Sequence, residues 1–273
     1  MHAIPFTKMN GTGNDFILIN NMSGAYDMVK DPAFVRAVCR RMVSLGADGL
    51  ICVEPSTRCD FAWRFFNADG SEAEMCGNGA RCAARFAVEK GIAGPDLAFE
   101  TRAGVIRAQV AGSRVRVGLS APGGFESIRL AVDGRELEVH CLNTGVPHAL
   151  LFVDDLENAP VETLGRTVRY HERFAPKGTN VNFVSQLRDN MLHIRTYERG
   201  VEAETLACGT GSVASALIAA ALGRVVLPAV LQTRGGEQLQ VDAESARPPF
   251  GRVYLEGGTR RVCDGMLCAE AWE

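Results

Sequence analysis

Two cysteines sit in matching four-residue turns, Cys76-Gly77-Asn78-Gly79 and Cys208-Gly209-Thr210-Gly211. An acidic stretch precedes each, Glu72-Ala73-Glu74 in one case and Glu202-Ala203-Glu204 in the other. An Ala-rich apolar run follows each, then a glycine (Gly91, Gly223) and a threonine-arginine pair, Thr101-Arg102 or Thr233-Arg234, at the same distance from its cysteine. The halves are therefore read as duplicates. Duplicated halves tend to pack about a pseudo-two-fold axis, which would bring the two turns to opposite sides of one cleft. A thiolate removes a proton and a thiol delivers one, so two thiols across a ligand are a base and an acid.

The glycines allow close backbone approach to a ligand, and a helix beginning at each turn presents its opening N–H groups and the positive end of its macrodipole. Such an end holds a carboxylate and favours a neighbouring thiolate. Asn78 and Thr210 are read as the N-caps. The plain alternative is a capped helix after a tight turn. It accounts well for one such motif, and poorly for two in equivalent places. Helix ends alone are too weak: a terminus contributes roughly 0.3–2 kcal/mol, about one pKa unit, to a thiol that is only a few per cent ionised at neutral pH. Each cysteine needs a tuning partner.

The elements that must position these residues follow from local pattern. Strands are expected near 16–20, 49–54 and 61–67, with a helix from the Asp31-Pro32 N-cap pair to about Leu45. A helix over 79–90, closed by Gly91, leads to strands near 97–101, 105–110 and 114–118. The second half repeats the order, with strands near 148–153, 181–185 and 191–197, helices near 160–170 and 211–222, and strands near 228–233, 237–242 and 251–256. Residues 213–222 are apolar all round, so that helix must be buried on every side and a sheet must curl about it. The expected architecture is α/β of the α+β type: two duplicated domains, each a curved, mostly antiparallel sheet around a central helix with the cysteine at its mouth. The domains are read as 1–119 and 125–259, with Ser120 to Phe125 as linker and the tail 260–273 packing back on the first.

Composition narrows the partners. Hydrophobic residues at 47% and charged residues at 22% indicate a globular chain with a full core, and a net charge of −3 without basic clusters argues against nucleic acid and anionic membrane surfaces. A small molecule is the expected partner. Met1 to Lys8 has no signal-peptide pattern and no apolar run reaches the length of a membrane span, which makes a cytoplasmic location the expectation. The nine cysteines have no C-x-x-C spacing and read as thiols, with Cys39, Cys52 and Cys141 in the core. The five histidines show no metal-ligand spacing to them, and Lys177-Gly178-Thr179-Asn180 is not a phosphate loop. Neither metal nor pyridoxal phosphate is expected.

Gly11-Thr12-Gly13-Asn14-Asp15-Phe16, Phe66-Asn67-Ala68-Asp69-Gly70, Met75 to Cys82, Tyr197-Glu198-Arg199-Gly200 and Ala207 to Gly211 together resemble the diaminopimelate epimerase family, in order and over nearly the whole chain. Proline racemases and hydroxyproline epimerases of the same superfamily have a histidine where this chain has Asn78. The resemblance implies a cofactor-independent homodimer that interconverts LL- and meso-2,6-diaminopimelate on the route to lysine and peptidoglycan. Cys76 and Cys208 would be base and acid, tuned by His148 near Cys76 and by Glu198 near Cys208. Substrate contacts would come from Asn14, Asn67, Gly77, Asn78, Asn180, Glu198, Arg199, Gly209 and Thr210, with Arg199, Glu198 and Asn180 at the distal amino-carboxylate end.

Three positions depart from the family pattern. Val146 replaces an asparagine before Pro147-His148, with Asn143 as a possible substitute; Gly49 stands where some relatives carry glutamine; and the 198–204 loop is one residue longer. Readings that stay open are an epimerase or racemase of another amino acid, a redox or metal-binding protein using the two cysteines, and a non-catalytic ligand-binding relative.

Overall fold

The two halves use the same string of elements. The computed structural model describes residues 3–273; Met1 and His2, part of the N-terminal stretch read above, lie outside the described residues. The chain divides into two units, one comprising residues up to Val117 with Gly257–Glu273 and the other Gly118–Glu256.

Unit 1 begins with β1 (Ile4–Gly11) and β2 (Asn14–Asn20), crosses through α1 (Pro32–Cys39) to β3 (Gly49–Glu54), and continues with β4 (Phe61–Asn67) and β5 (Glu72–Ala73). The central helix α2 (Gly77–Glu89) leads to β6 (Asp96–Thr101), β7 (Gly104–Ala111) and β8 (Arg114–Leu119). Neighbours pair antiparallel except across the two helices, where β2 runs parallel to β3 and β4 parallel to β6. Phe16 to Ile19 in β2 are all buried because the strand is covered on both faces. Ile17 and Ile19 pack with Phe34, Val35 and Val38 of α1, while α2 packs against β1, β2, β3 and β7.

Unit 2 repeats the plan after one leading strand, β9 (Gly123–Val132), with β10 (Arg135–Asn143) in the place of β1. Then come β11 (Pro147–Phe152), α3 (Val161–Arg169), β12 (Asn180–Arg188), β13 (Met191–Glu198), β14 (Ala203–Thr205), α4 (Gly209–Ala221), β15 (Ala229–Gln232), β16 (Gln238–Ala243) and β17 (Val253–Gly258). Here too the strands across the helices are parallel, β11 with β12 and β13 with β15. Helix α4 is buried from Gly211 to Ala220 and packs against β10 to β13, β15 and β16. Its apolar circumference is thus enclosed by strands. The last strand, β18 (Arg260–Leu267), pairs antiparallel with β1 just as β9 pairs with β10.

Several local expectations need correction. Helix α1 starts at the expected Asp31 cap, whose carboxylate accepts the Ala33 N–H, but ends at Cys39 and not near Leu45. The Gly46 and Ala47 amides reach back to the carbonyls of Val38 and Cys39 at 2.9 and 3.1 Å, and Met42 and Val43 are exposed, so a longer helix would bury nothing more. Extended structure resumes at Gly123, inside the segment read as linker, and the β9–β10 hairpin is absent from the sequence reading. Its signal is present, since Asp133 and Gly134 take positive φ, 49° and 75°, between two alternating runs. Strands β1 and β18 are likewise additions.

Candidate active site

In unit 1, Cys76 has extended backbone (φ −145°, ψ 117°) and is itself the N-cap of α2; its Sγ accepts the Gly79 N–H at 3.4 Å. Asn78 is therefore not the cap. Its buried side chain turns inward, donating to Asn14 Oδ1 at 2.7 Å and accepting from Arg81 at 2.8 Å. Arg81, one turn into α2, is fully buried and also binds Thr12 Oγ1 at 2.7 Å and the Gly77 carbonyl at 3.3 Å. Asn14 donates in turn to Asp48 at 3.0 Å, and Arg41 binds the other oxygen of that carboxylate at 2.9 Å. A buried guanidinium thus lies at the foot of the helix that carries Cys76, adding positive charge where the macrodipole is already positive.

Asn67 stands apart from this chain of hydrogen bonds. It is exposed at the end of β4, donates to Ser71 Oγ at 3.0 Å, and lies opposite Gly49 in the ladder. A Cβ on Gly49 would sit 2.5 Å from the Phe66 carbonyl oxygen and 2.7 Å from the Phe65 ring, which explains the glycine at this departure from the family pattern.

In unit 2, Cys208 (φ −124°, ψ 111°) caps α4 in the same way, accepting the Gly211 N–H at 3.4 Å. Thr210 is again not the N-cap; its hydroxyl lies 3.5 Å from the Cys208 sulfur. Cys208 is buried, whereas Cys76 is partly exposed. Asn180 is buried, accepting the Arg199 N–H at 2.9 Å and donating to the Pro147 carbonyl at 3.1 Å, so it ties the start of β11 to the turn that carries Arg199. Asn143 accepts the Gly145 N–H at 2.9 Å and so uses its amide oxygen within its own turn.

His148 is almost fully enclosed in β11. Its Nδ1 lies 3.1 Å from Asn182 Nδ2, and its buried Nε2 has no hydrogen-bond partner among the described residues. Burial, with help from the Arg199 charge, pushes its pKa down to about 3, so the ring is neutral at physiological pH. Glu198, at the end of β13, is pushed the other way: burial raises its carboxyl above the ordinary range. Burial also pushes the core thiols of Cys39, Cys52 and Cys141 up to about 12, which leaves them inert at neutral pH.

Each cysteine turn is anchored by an ion triad. In unit 1, Arg64 grips Glu72 through Nε and through Nη2 at 2.9 Å, and Arg102 reaches the same carboxylate at 3.5 Å. In unit 2, Arg195 holds Glu204 through two 2.7 Å hydrogen bonds and Arg234 lies 3.7 Å away. The structural equivalent of Glu72 is thus Glu204, whereas the literal repeat of Glu-Ala-Glu pairs Glu72 with Glu202. Glu72 and Glu204 each stand four residues before their cysteine, and ladder register agrees, because Glu72 faces Phe66 and Glu204 faces Tyr197. Glu202 instead takes positive φ (60°) and accepts Arg169 and the Gly200 N–H, both at 2.9 Å. By the same register Asn67 and Glu198 occupy equivalent strand ends, an amide in one unit and a carboxylate in the other.

Two half-sites of shared design, each a sulfur at the mouth of a buried helix, are a chemical pattern that a family assignment can meet. The diaminopimelate epimerase family model matches residues 6–121 and 140–258. The chain belongs to the diaminopimelate epimerase family. The diaminopimelate epimerase of Hydrogenobaculum sp. (strain Y04AAS1) is 48% identical over 277 residues, covering 97% of this chain and 98% of that protein. That of Aquifex aeolicus (strain VF5) is 46% identical over 279 residues, covering 98% and 99%. Among solved structures, a Bacillus anthracis phenazine biosynthesis protein of the PhzF family has a TM-score of 0.74 at 15% identity, covering 98% of this chain and all of that one. A hydroxyproline epimerase from Agrobacterium vitis, with bound trans-4-hydroxy-L-proline, has a TM-score of 0.69 at 16% identity, covering 98% and 93%. These last two show a shared fold.

In this diaminopimelate epimerase family member, sequence reading misses Asn182, Asp48 and the partners of the threonine-arginine pairs, and it quotes Arg81 without a role. Signals exist for two of them. An asparagine among Val181, Phe183 and Val184, and an arginine among Ala80, Cys82 and Ala83, must be hydrogen-bonded if those segments are core. Among the described residues no helix is long and apolar enough to cross a membrane, and no three His, Cys, Asp or Glu side chains are grouped to hold a metal ion.

Proposed function

We propose that this chain interconverts LL- and meso-2,6-diaminopimelate with Cys76 and Cys208 as the two proton-transfer groups. The carrying observation is that in each unit the sulfur is itself the N-cap of the central helix, held by the Gly79 or Gly211 amide. In this reading one cysteine, as thiolate, takes the α-proton and becomes a thiol. The electron pair left on carbon spreads into the α-carboxylate. The other cysteine, as thiol, gives its proton to the opposite face and becomes the thiolate, so configuration inverts and the two sulfurs exchange states. The α-proton of an amino acid is a very weak acid, and stabilisation of the developing negative charge must come through the carboxylate. The opening amides of α2 and α4, at Gly77, Asn78, Gly209 and Thr210, are suited to that group. Such a route uses neither pyridoxal phosphate nor metal.

Arg199, Glu198, Asn180 and Asn67 are assigned to the distal amino-carboxylate, Asn14 to the substrate near Asn78, and His148 and Glu198 to the tuning of the thiols. An arginine fork suits a carboxylate. Reactive thiols favour a reducing compartment, which supports a cytoplasmic enzyme, and the family resemblance supports a homodimer. The test is incubation with LL-diaminopimelate in deuterated water, following α-deuterium and stereochemistry together. Deuterium should enter the inverted product; inversion without exchange, or no turnover of diaminopimelate, would overturn the reading. Sustained turnover after chelation and without added pyridoxal phosphate is also expected.

A further inference from the structure

Asn182 lies opposite Leu150 and Thr196 in the ladder and is fully buried. Each of its side-chain atoms is committed. The Thr196 hydroxyl donates to Oδ1 at 3.0 Å, and Nδ2 lies 3.3 Å from the Ala149 carbonyl and 3.1 Å from His148 Nδ1. A carbonyl can only accept, so the amide nitrogen must be the atom facing Ala149 and His148. An amide nitrogen can only donate, so His148 Nδ1 must carry a lone pair. A neutral imidazole with its lone pair on Nδ1 bears its proton on Nε2. That Nε2–H is a buried donor without a partner among the described residues. The amide is also seated against the Cys208 turn, since a Cβ on Gly211 would lie 2.5 Å from Asn182 Oδ1.

We propose that Asn182 is a positioning residue that locks His148 in the Nε2–H tautomer, so that His148 meets its partner in the reaction as a hydrogen-bond donor and not as a proton acceptor. This rests on the two-thiol reading only for the identity of that partner, a cysteine thiolate or the anionic substrate. An Nε2–H donor stabilises either anion without itself titrating. The low basicity of the ring agrees, because an enclosed imidazole beside Arg199 is a poor holder of a second proton.

The test uses the full-length enzyme with 15N-labelled histidine and long-range 1H–15N spectra at neutral pH, His148 being identified by its loss in His148→Asn. The wild type should show the proton on Nε2, and in Asn182→Asp, whose carboxylate can only accept, the proton should move to Nδ1 or the ring should become charged. Asn182→Asp should also lower kcat on the order of 10²-fold or more with little change in KM. A wild-type Nδ1–H tautomer overturns the proposal without recourse to any variant. An unaltered tautomer in Asn182→Asp, or an altered one with full kcat, overturns it as well. Turnover by Cys76→Ala or Cys208→Ala would instead sink the two-thiol reading and leave the tautomer as assigned, so the two failures are separable.

Discussion

The sulfur of Cys76 accepts the backbone N–H of Gly79 at 3.4 Å, and in doing so closes the first turn of the helix it is expected to serve. Capping and chemistry are thereby joined in one atom, a relation that Cys208 and Gly211 repeat at 3.4 Å. An N–H aimed at sulfur favours the thiolate over the thiol. Serine separates the two roles, because a hydroxyl caps well and is a very poor thiolate substitute. Cys76→Ser and Cys208→Ser should melt close to the wild type while losing turnover by roughly 10³-fold or more. The alanine variants should lose about 1 kcal/mol besides. Thermal melts alongside deuterium exchange check both.

The ion triads should differ in strength. Arg195 is 10% exposed and Arg64 40%, so removal of the carboxylate strands a more deeply buried charge in unit 2. Glu204→Gln should destabilise by roughly 2–4 kcal/mol and Glu72→Gln by about 1 kcal/mol or less. Urea unfolding distinguishes them, and equal losses would refute the argument from burial.

His148 and Glu198 make opposite contributions to pH dependence. The folded-state pKa of His148 is depressed to about 3 from 6.5, so its contribution is complete above 6.5 and is lost as pH falls from there towards 3. Glu198 is raised from 4.5; its contribution is complete below that value and fades as pH climbs through the raised pKa. Relative to wild type, His148→Gln should flatten the stability profile between pH 6.5 and 3, and Glu198→Gln should flatten it above 4.5. Unfolding free energies measured from pH 4 to 8 show whether these slopes exist.

A side chain at position 49 should be costly here. The obstacle is the backbone carbonyl of Phe66, 2.5 Å from the position of a Cβ, and a β-ladder gives way poorly. Gly49→Ala is expected to lose roughly 1–3 kcal/mol, and Gly49→Gln at least as much. Denaturant midpoints decide this, and a neutral Gly49→Gln would mean that the ladder yields.

Substrate preference should rest on Arg199. In the proposed distal site, lysine, which lacks the second carboxylate, would leave the Arg199 guanidinium without its partner, enough for discrimination of roughly a hundredfold or more in favour of diaminopimelate. Arg199→Lys should narrow that margin, because an ammonium cannot reproduce the planar fork. A panel of L-amino acids assayed for α-proton exchange provides the comparison; faster exchange of histidine or a hydroxyproline would move the substrate to another amino acid.

Local order in the chain is enough for some of this. The duplication, the cysteines at the starts of two helices, the all-round apolar character of α4 and strands β3 and β4 are written in composition and period, because burial on one face or on all faces leaves a repeat a few residues long. Even the β9–β10 hairpin has its mark in Asp133-Gly134. Other features depend on partners far away in the chain. Cys76 and Cys208, and not Asn78 and Thr210, cap their helices, with Asn78 held inward by Asn14 and Arg81; Glu72 and Glu204 gain Arg102 and Arg234 only from beyond the helix that follows them; and Gly49 and Gly211 are glycines because of what the fold sets against them. The proton on His148 is assigned by Asn182, which reaches it across two parallel strands joined by a helix. Hydrogen-bond partners and close approaches between distant segments leave no period to read, so only the tertiary structure could assign them.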